Sequence, residues 1–372
     1  MDIAFIRPAQ VITGVTGYIG FKTLTVAIKE KYRVRAVVRR EQDILGLQRK
    51  SPIITSALGQ GRLEFALVPD LLSKDAVFNV LDGITAVIHL ASPLAVESND
   101  YESSIIKPTI SMVTTILEAA RRVKTIRRVI LTSSCVTLIP FEWNMSPDNE
   151  RLYTGKDRSP EHTCKHILIS TIENDLNDKV TGPFSSAMEA YWAAKALARM
   201  ATKSFISQGK AQFDIVNLLP SVVIGPDDRL LYDDTATRGN LLEGTRGAVL
   251  APALSSSLNS PFDYVGVPVH VADVARAHVD AVDDALVPGN SEYILCSNTP
   301  EGVVWDQEIK RIARQYFPTD VENKTLPLEG SLGTVKWRLD ALWSEKVFGW
   351  QFTSFEETMR GLIEQYLQLR PE

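Results

Sequence analysis

A tyrosine and a lysine, Tyr191 and Lys195, stand four residues apart in the segment YWAAK, where the pattern predicts a helix from about 186 to 208. Residues at this spacing share one face of a helix. A phenol is a poor acid or base near neutral pH unless a nearby cation favours its phenolate, and a lysine ammonium is such a cation. The pair therefore predicts general acid–base chemistry at Tyr191. A second pair with this spacing, Tyr18 and Lys22, lies inside a glycine-rich loop and is interpreted as accidental.

Hydroxyl side chains follow a predicted strand at 128–132, in the segment Leu131-Thr132-Ser133-Ser134-Cys135. Open α/β sheets bind ligands outside the carboxyl ends of their strands, and a hydroxyl there can donate to a carbonyl oxygen. By itself, a serine pair at a strand end more often signals a turn. Combined with the tyrosine–lysine pair and the glycine-rich loop, it predicts that Ser134 holds the oxygen of a substrate carbonyl.

The glycine-rich loop has the spacing G-x-x-G-x-x-G, with glycines at Gly14, Gly17 and Gly20, between a predicted strand at 10–13 and a predicted helix at 18–31. The first glycine permits a tight turn, and the second lets backbone N–H groups approach a pyrophosphate. The third allows the helix and the strand to pack closely, and the helix N-terminus favours the anion. The loop predicts a dinucleotide site rather than a plain strand–helix corner.

The end of the second predicted strand indicates which dinucleotide is bound. This strand, at 33–38, is followed by Arg39 and Arg40, with no acidic residue before Glu41. NAD enzymes usually place an acid here for the ribose hydroxyls, whereas an arginine accommodates the 2′-phosphate of NADP. The sequence therefore favours NADP. Asp70, at the end of the third strand, is placed to accept a hydrogen bond from the adenine amino group.

Alternating strand and helix patterns must position these residues. Strands are predicted at 10–13, 33–38, 62–68, 85–90, 128–132, 213–219 and 292–296, and the main helices at 18–31, 102–122, 186–208, 271–284, 306–316 and 354–369. Strands separated by helices form parallel βαβ units. The predicted fold class is α/β, a Rossmann doubly wound parallel sheet with a smaller, discontinuous α/β substrate lobe. We assign residues 1–219 and about 268–298 to the NADP-binding domain, and 220–267 and 299–372 to the substrate-binding lobe. A polar segment at 141–184 interrupts the first domain as a long excursion.

Composition excludes several classes of protein. The 372 residues are 45% hydrophobic and 23% charged with a net charge of −5, which argues for a globular protein without a nucleic-acid partner. Three cysteines without a CxxC pair argue against disulfides and structural zinc. His162, Cys164 and His166 are spaced too closely for a familiar zinc site, so no metal is expected. His89, at a strand end, is expected to be structural. Without a signal peptide or a long apolar run, we expect a soluble, cytoplasmic protein with no membrane partner.

Taken in order, these motifs resemble the extended short-chain dehydrogenase/reductase family. They are TGVTGYIG at 13–20, Asp70, HLASP at 89–93, TSS at 132–134, YWAAK at 191–195 and LLPSVVIGP at 218–226. Within the family, VRAVVRR and YWAAK resemble the branch of dihydroflavonol reductases, cinnamoyl-CoA reductases and fungal aldehyde/ketone reductases. The resemblance implies an NADPH/NADP-dependent enzyme with Ser134, Tyr191 and Lys195 as catalytic residues. The cofactor-binding residues that it implies are Thr13, Gly14, Thr16, Gly17, Tyr18, Ile19, Gly20, Arg39, Arg40, Asp70, Leu71, Ala91, Ser92, Pro93, Thr132, Ser133, Tyr191, Lys195, Pro220, Ser221, Val222 and Val223.

The expected activity is reduction of a ketone or aldehyde to an alcohol. Aromatic residues in the irregular segments suit a flat, largely apolar ligand, so a bulky aromatic or polyketide-like substrate is expected. The residues expected to contact it are Pro93, Cys135, Phe141, Trp192 and Tyr232. Ser134 and Tyr191 are 57 residues apart, a longer separation than in plant members and similar to fungal relatives from secondary metabolism.

Three alternatives stay open. A nucleotide-sugar epimerase or dehydratase usually carries YGxSK and an acid after the second strand, and this chain has neither. A hydroxysteroid dehydrogenase-like activity is harder to separate on sequence. A non-catalytic NADP sensor typically loses the tyrosine and the lysine, which this chain keeps. The protein is expected to be a monomer or a homodimer.

Overall fold

The computed structural model describes residues 7–139, 141, 150–155, 184–209 and 211–371. The chain divides into two compact units. The first consists of 1–142, 155–219 and 275–293, and the second of 143–154, 220–274 and 294–372. Compared with the division expected from the sequence, this one also gives residues 143–154, 268–274 and 294–298 to the second unit.

A seven-stranded sheet contains the strands β1 Arg7–Thr13, β2 Tyr32–Val38, β3 Leu63–Leu67, β4 Ala86–His89, β5 Arg128–Thr132, β7 Asp214–Pro220 and β11 Ser291–Leu295. Their order is β11-β7-β5-β4-β1-β2-β3. Every pairing whose register is described runs parallel, which confirms the predicted α/β class. Adjacent residues on a strand face opposite sides of the sheet. Val11 and Ile12 are both buried, so apolar groups cover the sheet on both sides.

Helices of the first unit connect these strands. They are α1 Tyr18–Lys29, α2 Glu41–Arg49, α3 Pro52–Gly59, α4 Lys74–Asn79, α5 Lys107–Arg121 and α6 Ala187–Ser207. The helix expected at 102–122 is not uniform, because Glu102–Ile106 forms a π-helical turn before α5. Pro108 lies in the first turn of α5 and has no N–H to donate to an earlier carbonyl. The short helices α2 and α3 were not predicted, since α2 buries only Leu47 and so carries almost no apolar stripe.

The second unit is built from shorter elements. Its strands pair two by two: β8 Val222–Ile224 with β10 Pro268–His270, β9 Tyr264–Val265 with β12 Thr334–Val335, and β6 Leu152–Tyr153 with β13 Arg338–Leu339. Its helices are α7 Arg238–Leu241, α8 Thr245–Leu250, α10 Trp305–Tyr316, α11 Pro318–Glu322, α12 Leu342–Phe348 and α13 Phe355–Gln368; α9 Val271–Asp280 runs from this unit into the first. In its core, the Trp305 and Phe355 rings meet edge to face at 5.4 Å. None of the helices that the structure describes combines the length and the apolar composition needed to cross a membrane.

Candidate active site

The glycine-rich loop needs glycine for steric reasons at two positions. Gly14 has a φ of +77°, and a Cβ there would lie 2.8 Å from the Ala91 nitrogen. A Cβ on Gly20 would overlap the carbonyl oxygen of Gly14. Gly17 is the N-cap of α1, and no side chain caps the first turn of that helix. The loop thus presents the N-terminus of a 12-residue helix, with its partial positive charge, at the carboxyl end of β1, and it fits the pyrophosphate of a dinucleotide.

The two arginines after β2 differ in their surroundings. Arg40 donates to the Asp43 carboxylate at 2.8 and 3.3 Å, so its charge is already paired. Arg39 is exposed, and the structure describes no hydrogen bond or ion pair for it within the ranges given above. Asp70, also exposed, accepts a hydrogen bond from the Leu72 N–H through Oδ1 at 2.9 Å. Of the two arginines, Arg39 is therefore the one available to a 2′-phosphate.

The structure brings Ser134, Tyr191 and Lys195 together in the first unit. Ser186 caps α6 by accepting a hydrogen bond from the Glu189 N–H, which fixes where the helix begins. Lys195 lies one turn beyond Tyr191 on this helix. Its Nζ is 5.7 Å from the centroid of the Tyr191 ring and donates to the Thr132 carbonyl at 3.3 Å. The Ser134 side chain, just after β5, is hydrogen-bonded to the Tyr191 hydroxyl.

Burial shifts the pKa values of Tyr191 and Lys195 in opposite directions. It raises the pKa of the Tyr191 phenol to about 12, with a smaller contribution from Cys135 and opposition from the Ser134 hydrogen bond. It lowers the pKa of the Lys195 ammonium to about 8. At neutral pH the phenol holds its proton and the lysine is charged. This state suits a proton donor whose phenolate product needs a nearby cation.

Arg199, which the sequence analysis did not single out, links α6 to the turn that carries Ser134. Its side chain is 2% exposed and donates to the Thr137 carbonyl at 2.9 Å and to both carboxylate oxygens of Glu292 at 2.8 and 2.7 Å. Thr137 in turn donates to the Ser134 carbonyl at 2.8 Å. Arg199 is four residues beyond Lys195, but Glu292 is 93 residues further along the chain, so no local pattern predicts the pair.

The other predicted cofactor residues of the first unit lie around the carboxyl ends of its strands. Thr13 ends β1 and accepts from the Ala91 N–H at 3.3 Å. Ser133 donates its N–H to the Leu218 carbonyl at 2.8 Å, and the Thr132 hydroxyl lies 2.7 Å from His278 Nε2. Thr16 lies in the loop after β1, and Tyr18 and Ile19 lie in the first turn of α1. Leu71 follows β3, and Ser92 and Pro93 follow β4.

Pro220, Ser221, Val222 and Val223 belong to the second unit, where they lead from β7 into β8. Ser221 donates its N–H to the Leu295 carbonyl at 3.0 Å. Tyr232, expected to contact substrate, is 57% exposed in the same unit.

The other residues expected to contact substrate are in the first unit. Cys135 and Trp192 are buried. The Trp192 indole N–H donates to the Ile139 carbonyl at 2.8 Å, and the Phe141 ring meets it edge to face at 5.6 Å. The histidine–cysteine cluster at 162–166 lies outside the described residues. Within the described ranges, no group of three or more His, Cys, Asp or Glu side chains could hold a metal ion.

The chain is similar to one enzyme family model and to several named reductases. Residues 10–174 match the model of the NAD dependent epimerase/dehydratase family. The ketoreductase CTB6 of Cercospora nicotianae is 28% identical over 366 residues, covering 96% of this chain and 94% of the relative. The dihydroflavonol 4-reductase of Arabidopsis thaliana is 25% identical, over 82% of this chain and 69% of the relative.

Solved structures show the same fold. Yeast methylglyoxal/isovaleraldehyde reductase Gre2, crystallised with NADPH, superposes with a TM-score of 0.72 at 20% identity, over 97% of this chain and 98% of that one. Vestitone reductase from alfalfa gives a TM-score of 0.67 at 20% identity, over 97% and 99%. The resemblance found in the sequence is thus confirmed, because residues 10–174 match the NAD dependent epimerase/dehydratase family model and the relatives include ketoreductases and a dihydroflavonol 4-reductase.

Proposed function

We propose that this protein is an oxidoreductase that reduces the carbonyl group of a small molecule with NADPH. The observation that carries the proposal is the meeting of Ser134, Tyr191 and Lys195 in the same unit as the uncapped N-terminus of α1. The names of the relatives support the same reaction, because they include ketoreductases and dihydroflavonol reductases along nearly the whole chain.

The residues present fit NADPH. The glycine-rich loop would hold the pyrophosphate at the N-terminus of α1, and Arg39 would neutralise the 2′-phosphate, since Arg40 is paired with Asp43. Lys195 would hydrogen-bond the nicotinamide ribose. When bound, NADPH supplies the hydride that adds to the carbonyl carbon of the substrate.

The chain's own groups handle the oxygen of that carbonyl. Ser134 donates a hydrogen bond to it and so stabilises the negative charge that develops there. Tyr191 then donates its phenolic proton to the same oxygen, which completes the alcohol. The Lys195 ammonium stabilises the resulting phenolate, and the site returns to its starting state when the phenolate is reprotonated from solvent.

The substrate class follows from the aromatic residues and the relatives. The relatives include ketoreductases from Cercospora and Aspergillus, which supports an aromatic or polyketide-like ketone or aldehyde from fungal-type secondary metabolism. Phe141 and Trp192 would form one apolar wall of the substrate site, with Pro93 and Cys135 near the reacting carbonyl.

A panel of carbonyl compounds tests this proposal by following NADPH consumption. We expect turnover of bulky aryl ketones or aldehydes and none of nucleotide sugars. Nucleotide sugars are the informative control, because the epimerase alternative predicts the opposite pattern. Turnover restricted to nucleotide sugars, with aryl ketones neither reacting nor inhibiting, would contradict the proposal and support the alternative.

A further inference from the structure

The protonation of His89, at the end of β4, follows from its contacts. Its Nδ1 lies 2.8 Å from the Thr13 hydroxyl, which already accepts from the Ala91 N–H. We assign Thr13 as the donor to Nδ1, because this direction gives the hydroxyl proton an acceptor while the oxygen accepts from the Ala91 N–H. Burial, and then the charge of Lys195, lower the pKa of His89 to about 3, so the ring is neutral. The single ring proton must therefore be on Nε2.

This Nε2–H is buried, and no protein group within the described ranges accepts from it. His89 is 3% exposed and lines a cavity of about 20 Å³. Its wall combines polar residues, among them Lys195 and Asn217, with apolar residues, among them Val113 and Leu131. A buried N–H without an acceptor is unfavourable, and one water needs roughly 10–15 Å³ of such a cavity. The cavity has polar groups in its otherwise largely apolar wall and is large enough for a water molecule.

Lys195 presents a second donor to the same cavity. Of its three N–H groups, one donates to the Thr132 carbonyl at 3.3 Å, the one hydrogen bond that the structure describes for this ammonium. His89 and Lys195 both line this cavity, and two donors, the imidazole N–H and the ammonium, can be joined only by a group that accepts twice, as water does. Asn217 donates through its amide nitrogen to Glu292 at 3.4 Å, which leaves its amide oxygen as an acceptor for a water proton.

We propose that this cavity binds an ordered water that accepts hydrogen bonds from His89 Nε2 and Lys195 Nζ, and that His89 is thereby a positioning residue for the catalytic ammonium. The role in catalysis rests on the proposed function, whereas the water site itself does not. His89 is therefore more than the structural residue expected from its place at a strand end.

The water matters because Lys195 is buried. A water oxygen stabilises the charged ammonium, so its removal lowers the pKa of Lys195 and discharges the lysine at a lower pH. The alkaline limit of carbonyl reduction would move in the same direction. The other charged or titratable groups around Lys195 are Tyr191 and Arg199 on α6, Cys135 after β5, Glu292 on β11, which is paired with Arg199, and His278 on α9, which contacts Thr132.

Two substitutions test the contacts of the two imidazole nitrogens separately. In His89→Asn, the amide reaches only the Nδ1 position, so the Thr13 contact is kept and the donor toward the cavity is lost. In His89→Gln, the amide nitrogen reaches the Nε2 position, so the donor is kept and the Thr13 contact is lost. We expect the Asn variant to lower the alkaline pKa of kcat by about one unit, a loss of about tenfold at pH 9. The Gln variant should stay within about twofold of the parent at each pH.

A high-resolution crystal structure of the unliganded protein gives a readout independent of activity. A water within hydrogen-bond distance of both nitrogens, present in the parent and the Gln variant and missing in the Asn variant, supports the proposal. Its absence from the parent overturns it, as does an alkaline limit that moves in the Gln variant but not in the Asn variant. If carbonyl reduction were absent altogether, the proposed function would fail while the crystallographic result still decided the water site.

Discussion

Tyr191 and Lys195 share the proposed proton transfer, and burial shifts their pKa values in opposite directions. Burial makes the phenol a weaker acid and the ammonium a stronger one. In the proposed mechanism, the phenol therefore keeps its proton until a developing alkoxide takes it, and the phenolate is stabilised only while Lys195 is charged. Sequence spacing alone predicted that these two residues share a helix face. The burial that tunes them depends on packing from other elements, which no local pattern encodes.

The pH dependence of reduction should follow Lys195. Because the charged form is required and its pKa is about 8, kcat/KM should be constant below pH 7 and fall as pH rises through about 8. Initial rates of NADPH oxidation between pH 6 and 10, at saturating NADPH, measure this directly. A rate that stays constant up to pH 10 would show that the charge on Lys195 is not needed.

Arg39 should determine the preference for NADPH. Arg39→Ser removes the unpaired guanidinium, and a hydrogen bond to a charged group contributes about 1.5–3 kcal/mol, or roughly 10–100-fold in the NADPH dissociation constant. NADH affinity should not change, since it lacks the 2′-phosphate. Fluorescence titration with both dinucleotides provides the measurement. Arg40→Ser is the matched control, because Arg40 is paired with Asp43, and it should change NADPH affinity by less than about threefold. Equal effects of the two substitutions would contradict the assignment.

At the scale of elements, the first helix and its loop were predicted almost completely. The predicted helix at 18–31 ends two residues earlier in the structure, at Lys29. The glycines are a reliable signal for this strand–helix turn, because a side chain at Gly14 or Gly20 would collide with neighbouring backbone atoms. By contrast, α2 and α3 bury few side chains and give almost no periodic signal, so the sequence did not reveal them.

Gly20→Ala tests the loop. Its added methyl would overlap the Gly14 carbonyl, so the loop must shift, and we expect NADPH binding to weaken more than tenfold with a lower Tm. Gly46→Ala in α2 is the control, because nothing lies within 4 Å of its added methyl. Alanine there should leave binding unchanged and stabilise by about 0.5–1 kcal/mol. Calorimetry and cofactor titration of both variants give the result, and unchanged binding in Gly20→Ala would be inconsistent with the loop described.

The link between α6 and the turn after β5 is also testable. Arg199→Lys keeps a positive charge but cannot bond Thr137 and both Glu292 oxygens together, so Ser134 should lose its alignment with Tyr191. We expect kcat to fall about ten- to a hundredfold with little change in KM. Lys203→Ala is the control, since it removes a more exposed partner of the same carboxylate and should cost at most about 1 kcal/mol of stability. A lower Tm with unchanged kcat would mean that Arg199 serves stability alone.

For the whole molecule, the α/β class and the parallel sheet were predictable because fully buried strands leave continuous apolar runs. The second unit was not predictable in detail, since its paired strands are two or three residues long and its helices are stabilised by contacts between distant segments. The Arg199–Glu292 pair and the cavity beside His89 also form between segments that are far apart in the sequence, so no local pattern predicts them. The resemblance to a known family implied Ser134, Tyr191 and Lys195 as catalytic residues, and the structure adds that burial shifts the pKa values of Tyr191 and Lys195 in opposite directions.

The central claim is that Tyr191 is the proton donor of a carbonyl reductase. The most direct test compares the parent with Tyr191→Phe, using NADPH and a carbonyl substrate found in the panel, while NADPH affinity is measured separately by fluorescence. The account predicts that kcat falls by about 10²–10⁴-fold while the NADPH dissociation constant stays within about threefold. A phenylalanine variant that retains most of its activity would contradict it.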